Sequence, residues 1–128
     1  MKRISILPLI CVSLFGACLR PKAQEAYHKL SAAEAHKMMQ EMKEFIILDV
    51  RAEAEHREQR IAGSILIPDF EIRERAPREI PEKDKVILVY CRSGRRSESA
   101  ARVLAGLGYK NIYDFGGIIN WPYETVGD

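Results

Sequence analysis

The chain has little of what most single-residue chemistries need: three cysteines, three histidines and one tryptophan in 128 residues. Two of the cysteines, Cys11 and Cys18, fall in the N-terminal stretch, so Cys91 is the one thiol of the remaining sequence. A single cysteine builds no disulfide framework and has no resolving partner, which excludes dithiol redox chemistry of the thioredoxin kind. His28, His36 and His56 do not cluster, and each reads as a surface or capping residue rather than a metal ligand or general base. No cofactor motif is present, and no metal is expected.

Acidic residues are missing before Glu25. Lys2 and Arg3 lead into Ile4 to Leu19, which is almost wholly apolar and too short for a spanning helix. That pattern predicts a secretory signal over residues 1–18, a polar linker over 19–26 and one folded domain over 27–128. Leu14-Phe15-Gly16-Ala17-Cys18 resembles a bacterial lipobox. The expectation is an exported domain, either periplasmic or held at a membrane through lipid on Cys18. Removing Lys2 and Arg3 lowers the 20 Lys and Arg to 18, equal to the 18 Asp and Glu. A neutral domain gives no reason to expect nucleic-acid binding.

Past the linker, short apolar runs alternate with amphipathic stretches. Tyr27–Leu30 reads as a first strand; Ser31 with Glu34 three residues on is a capping box opening a helix to about Met42. Phe45–Leu48, Ser64–Pro68, Val86–Tyr90 and Asn111–Phe115 read as further strands. Helices are expected over Ala52–Gln59, Phe70–Arg78 (closed by Pro77 and Pro81) and Ser97–Leu107, with Gly108 as a C-cap. The alternation predicts an α/β fold with a mostly parallel five-stranded sheet flanked by helices, its active groups at the strand C-termini.

One segment carries chemistry. Cys91-Arg92-Ser93-Gly94-Arg95-Arg96-Ser97 follows the buried-strand pattern and precedes the helical one. Free N–H groups at a helix start, with the helix dipole and three guanidiniums, make a pocket for negative charge. A cysteine at the mouth of such a pocket is a candidate nucleophile, because cationic surroundings favour the attacking thiolate. Gly94 is the position where the loop needs a positive φ.

Leu48-Asp49-Val50-Arg51, Ile61–Pro68, Val89–Ser97 and Gly116-Gly117-Ile118-Ile119-Asn120-Trp121 occur in the order seen in rhodaneses. The resemblance covers about Leu30 to Tyr123 and is closest to single-domain, exported bacterial members. It implies a thiosulfate sulfurtransferase: Cys91 takes the outer sulfur of thiosulfate as a persulfide and passes it to cyanide or a thiol. Arg92, Ser93, Gly94, Arg95, Arg96 and Ser97 would then surround the anionic substrate, the two serines as capping or amide-satisfying groups. Asp49 would be a buried carboxylate holding a loop arginine, Arg92. Arg51 would reach substrate or pair with a helix carboxylate. Trp121 reads as a core or rim aromatic. The chain departs from the family at Gln59-Arg60, where Gly-His is frequent, and at His56, where an aromatic is common.

Two other readings compete. Cysteine phosphatases use a similar loop, but their arginine six positions after the cysteine is Ser97 here, while Arg96 comes at five. Rhodanese domains also serve as binding modules or persulfide carriers for protein partners, usually after losing the cysteine in the first case. Arg92, directly after Cys91, favours an anionic sulfur donor such as thiosulfate over mercaptopyruvate.

Overall fold

In a computed structural model that describes residues 21–128, the fourth strand, β4 (Val86–Cys91), forms the middle of the sheet. Its sequence is apolar without alternation, and both its faces are covered. Ile87, Val89 and Cys91 point to one core with Leu104 and Ile112, whereas Leu88 and Tyr90 point to another with Ile47, Phe115 and Trp121. A strand buried on both faces belongs in a parallel sheet clad by helices. Five strands do form one, in the order β1-β5-β4-β2-β3, with every pairing parallel. The others are β1 (Tyr27–Lys29), β2 (Ile46–Asp49), β3 (Ile65–Leu66) and β5 (Asn111–Gly117).

The helices are α1 (Lys22–Ala26), α2 (Ala32–Glu41), α3 (Glu53–Glu58), α4 (Ile72–Glu79) and α5 (Arg95–Gly106). The capping box forms as expected. Ser31 Oγ accepts the Glu34 N–H at 3.1 Å, and Glu34 Oε1 accepts the Ser31 N–H at 3.0 Å. Gly108 ends α5 with φ +96°, a left-handed conformation that suits glycine.

Two expectations need correction. Residues 22–26 are helical rather than a polar linker, and Ala26 is buried, so α1 packs against α5. α4 ends at Glu79, in the Pro77–Pro81 region as expected, with Pro77 inside the helix. The ring removes one N–H, but Ile72, Ala76 and Ile80 are all buried on the sheet side, and that burial outweighs the lost bond in so short a helix. The third strand is only Ile65–Leu66, and beyond it the Ile67 and Asp69 N–H groups still bond to the Asp49 and Val50 carbonyls. The signal region and the Cys11 and Cys18 positions lie outside the described residues. Among those described, no helix is long and apolar enough to cross a membrane.

Parallel pairing brings the ends of β2, β4 and β5 to one edge. Asp49 is level with Tyr90, and Cys91 is level with Gly117 after a register shift between Val89 and Cys91. The groups expected to act together therefore converge by topology.

Candidate active site

Cys91 closes β4, and α5 begins at Arg95, leaving three residues to turn the chain. Gly94 makes that turn at φ +108°, which is costly for any residue with a Cβ. The turn curls the loop over the sulfur. The Gly94 N–H donates to Cys91 Sγ at 3.0 Å, and Ser97 Oγ stands 3.5 Å from it. Ser97, fully buried, also donates to the Gly94 carbonyl at 3.1 Å and so fixes the first turn of α5. Among the described residues the Arg95 and Arg96 amides have no protein acceptor, so the helix keeps its positive end toward the loop. Cys91 itself is 1% exposed. It lies at the floor of the loop and not at its mouth, as the sequence reading had it.

The other wall of the loop is β5. A Cβ at Gly117 would collide with the Arg92 carbonyl and stand 2.6 Å from Ser93 Cα, so only glycine fits. Just beyond, the Ile119 N–H donates to the Arg92 carbonyl at 3.2 Å. The Gly116-Gly117 pair is the mould against which the cysteine loop is cast.

The arginines divide. Arg92 and Arg95 are exposed and have no carboxylate partner among the described residues. Arg96 is held: its two terminal nitrogens donate to Glu55 Oε1 and Oε2 at 2.6 and 2.9 Å. The Arg96 hydrogen bonds hold the Glu55 carboxyl down at about 2, against the opposing effect of burial. Ser93 is exposed and makes no side-chain hydrogen bond among the described residues. Nothing in the Glu55 region of the sequence announced this pairing, because its partner is 41 residues away.

Asp49 is fully buried, as expected, but it does not hold Arg92. Its oxygens accept the Arg51 N–H at 2.9 Å, Arg51 Nε at 3.0 Å and Arg51 Nη2 at 2.7 Å, the bidentate fork that suits arginine. Two more groups converge on Oδ2: the Tyr90 hydroxyl at 3.1 Å and His56 Nδ1 at 2.9 Å. Tyr90 Oη in turn accepts the Ile61 N–H, so Asp49 ties β2, β4 and the segment before β3 together. His56 is accordingly a network member and not a surface residue. Arg51 is 4% exposed and pairs with the strand-end carboxylate rather than a helix one. Its guanidinium also donates to the Gln59 carbonyl, and burial's pull on its basicity is reversed by the Asp49 hydrogen bonds and charge. His28 stacks on Tyr113, while His36 stacks on Tyr123 at 3.7 Å and meets the buried Trp121 edge-on, well apart from the loop.

A cavity of about 340 Å³ opens beside the loop, lined by Arg92, Arg51, Glu55, Glu58, Ile118 and Ile119 among others. Larger hollows lie elsewhere, among them one of about 530 Å³ between α1 and the end of α5 and one of about 490 Å³ over the Trp121 face, and neither is lined by a cysteine.

Comparison with known proteins agrees with this geometry. Residues 31–122 match the Rhodanese-like domain family. The chain is 34% identical over 71 residues to a thiosulfate sulfurtransferase of Escherichia coli, PspE, covering 56% of this chain and 68% of that one. It is 39% identical over 80 residues to a Bacillus subtilis protein named as a putative sulfur carrier, YrkF, covering 62% of this chain and 42% of the relative. Among solved structures, a rhodanese-related protein from Thermoplasma volcanium superposes with a TM-score of 0.68 at 35% identity, covering 80% of this chain and all of that one. The cysteine loop on a five-stranded parallel sheet and these similarities have one meaning: the chain belongs to the rhodanese-like domain family, whose members here include sulfurtransferases.

Proposed function

We propose that this protein is a thiosulfate sulfurtransferase working through a Cys91 persulfide. The observation that carries the reading is the short hydrogen bond from the Gly94 N–H to Cys91 Sγ, inside a loop that ends at the start of α5. A donor aimed at sulfur from a helix start stabilises negative charge on that atom, both before attack and after it. Attack of the Cys91 thiolate on the outer sulfur of thiosulfate forms one S–S bond and breaks another. The electron pair of the broken bond leaves with sulfite, and Cys91 holds a persulfide anion. An acceptor thiolate or cyanide then attacks that outer sulfur, and the Cys91 thiolate is restored.

Each loop residue has a place in this scheme. The amides of Gly94, Arg95 and Arg96 face the anion, Arg92 and Arg95 supply unpaired charge, and Arg96 supplies charge shared with Glu55. Ser93 and Ser97 shape the loop. Asp49 and Arg51 support it from beneath. The export signal and a lipid on Cys18 belong to the same proposal; acyl labelling of the full chain, compared with Cys18→Ser, tests them.

The test of the chemistry is thiocyanate formation from thiosulfate and cyanide, with Cys91→Ser as control. Turnover lost in the variant supports the reading, and no turnover in folded, reduced wild-type protein overturns it. The likeness to the protein named as a sulfur carrier favours a second reading, in which the Cys91 persulfide is delivered to a protein partner. Rapid small-molecule turnover speaks for the enzyme; a stable persulfide that only a protein discharges speaks for the carrier.

A further inference from the structure

Helix α3 carries two groups of the site, Glu55 on Arg96 and His56 on Asp49, yet it is six residues long and none of them is buried. A helix that short does not persist on its own hydrogen bonds, so outside anchors set its place. Its far end has them. Residues 125–128 run antiparallel to residues 57–60. The Arg60 and Val126 N–H groups each donate to the other's carbonyl at 2.8 Å, and the Asp128 N–H donates to the Arg57 carbonyl at 2.9 Å. Arg60 Nη1 donates to the His56 carbonyl at 3.2 Å and to Asp128 Oδ1 at 2.9 Å. Two carbonyls that a helix leaves unpaired at its end are thereby satisfied. Gln59 Nε2 donates to Thr125 Oγ1 at 3.0 Å, while the Gln59 carbonyl accepts from Arg51 of the buried pair. A Cβ at Gly127 would collide with the Glu58 carbonyl, so the segment lies directly against the helix end. The buried Trp121 anchors it in turn, its Nε1 donating to the Glu124 carbonyl at 3.4 Å. Gln59 and Arg60, where the sequence departs from the rhodanese pattern, are the two side chains that grip this segment.

We propose that residues 125–128 are a strap, gripped by Gln59 and Arg60, that holds the Glu55 carboxylate on Arg96 and so tunes how tightly the site binds an anionic sulfur donor. The donor role rests on the sulfur-transfer reading above. Gln59 and Arg60 are positioning residues, and their effect passes through α3. With the strap in place, both terminal nitrogens of Arg96 are engaged by Glu55, and the charge offered to an anion is shared. With its grip released, the end of α3 frays and that pair loses its fixed geometry. The pair is about one-third exposed, so Arg96 exchanges the carboxylate for an incoming anion at little cost. Asp49 keeps Arg51 and Tyr90 whatever α3 does. Release therefore shows in donor binding and not in the chemical step.

The experiment measures KM for thiosulfate and kcat in wild-type protein, Arg60→Ala, Asp128→Ala, Glu55→Gln and the double variant Arg60→Ala with Glu55→Gln. KM should fall about twofold in Arg60→Ala and Asp128→Ala, the size of one exposed ion pair, at unchanged kcat. Adding Arg60→Ala to Glu55→Gln should change KM no further, because the group it acts through is already gone. Asp128→Ala removes an exposed side chain and keeps the main-chain pairing, so the test stands even if Arg60→Ala folds poorly. An unchanged or raised KM in the folded single variants overturns the proposal, as does an effect that recurs in full in Glu55→Gln. The Glu55 carboxyl gives a readout free of turnover: followed by carbon-13 NMR, its titration should move up from about 2 toward 4.5 in Arg60→Ala. Mass spectrometry of thiosulfate-treated protein separates the two levels. If Cys91 gains no sulfur but Glu55 moves, the donor role falls with the sulfur-transfer reading and the grip on Glu55 stands. If Cys91 gains sulfur and Glu55 does not move, the strap alone falls.

Discussion

Arg51 on Asp49 and Arg96 on Glu55 are both short, multiply bonded guanidinium–carboxylate pairs beside one loop, yet their surroundings differ. The first is 4% and 0% exposed, and its carboxylate is also met by Tyr90 and His56. The second is 33% and 30% exposed at the rim. A buried pair is costly to break, because the surviving charge is left without water. A rim pair exchanges its partner for solvent or an anion at little cost. The buried pair therefore sets the frame of the site, and the rim pair sets how much positive charge an incoming anion meets.

The sharpest way to break this comparison is Asp49→Ala, which strands the Arg51 guanidinium and the Tyr90 hydroxyl together. A loss of about 3–5 kcal/mol in urea unfolding is expected; a loss as small as that of a surface pair would refute the division. Tyr90→Phe, which leaves the Ile61 N–H unpaired, should lose about 1–3 kcal/mol by the same measurement. Glu55→Gln should change stability by less than about 1 kcal/mol. It should instead lower KM for thiosulfate by about threefold, since Arg96 is freed toward the loop. A raised KM would show that Glu55 positions Arg96 for binding rather than withholding it.

The smallest effects are in pH, and the two clusters fail at opposite ends. The Glu55 carboxyl is held at about 2 in the fold, from an ordinary 4.5, first by the Arg96 hydrogen bonds. Its contribution is complete above 4.5 and fades as pH falls toward 2. The Tyr90 phenol is raised above its ordinary 10.0, chiefly by burial. Its contribution is complete below 10.0 and is lost as pH rises beyond. Melting temperature against pH should therefore show a shallower acid limb in Glu55→Gln and a shallower alkaline limb in Tyr90→Phe.

The frame was readable because its signals are local. Apolar runs of strand length, the Ser31–Glu34 spacing and the Cys91–Ser97 loop each speak within a few residues. The partners inside the site were not. Asp49 selects Arg51 two residues away instead of Arg92, because a strand end lets the chain fold back on its own carboxylate. Glu55 reaches Arg96, and His56 reaches Asp49, only after α3 has been laid along the sheet edge. The need for glycine at 117 was not readable, since its reason, the Arg92 carbonyl, comes from the loop after β4. α1 was missed because burial against α5 is invisible to local propensity.

The dependence of the loop on Gly117 and Ile119 also sets an order of events. Chains emerge N-terminus first, and β4 pairs on one side with β2, which is already made, but on the other with β5, which is not. Until residues 117–119 arrive, nothing closes the β5 side of the loop, and the thiol stands without the cover it has in the finished fold. The protein thus passes through a stage in which its one domain thiol is made but unsheltered. The last tenth of the chain decides how long that exposure to oxidants lasts.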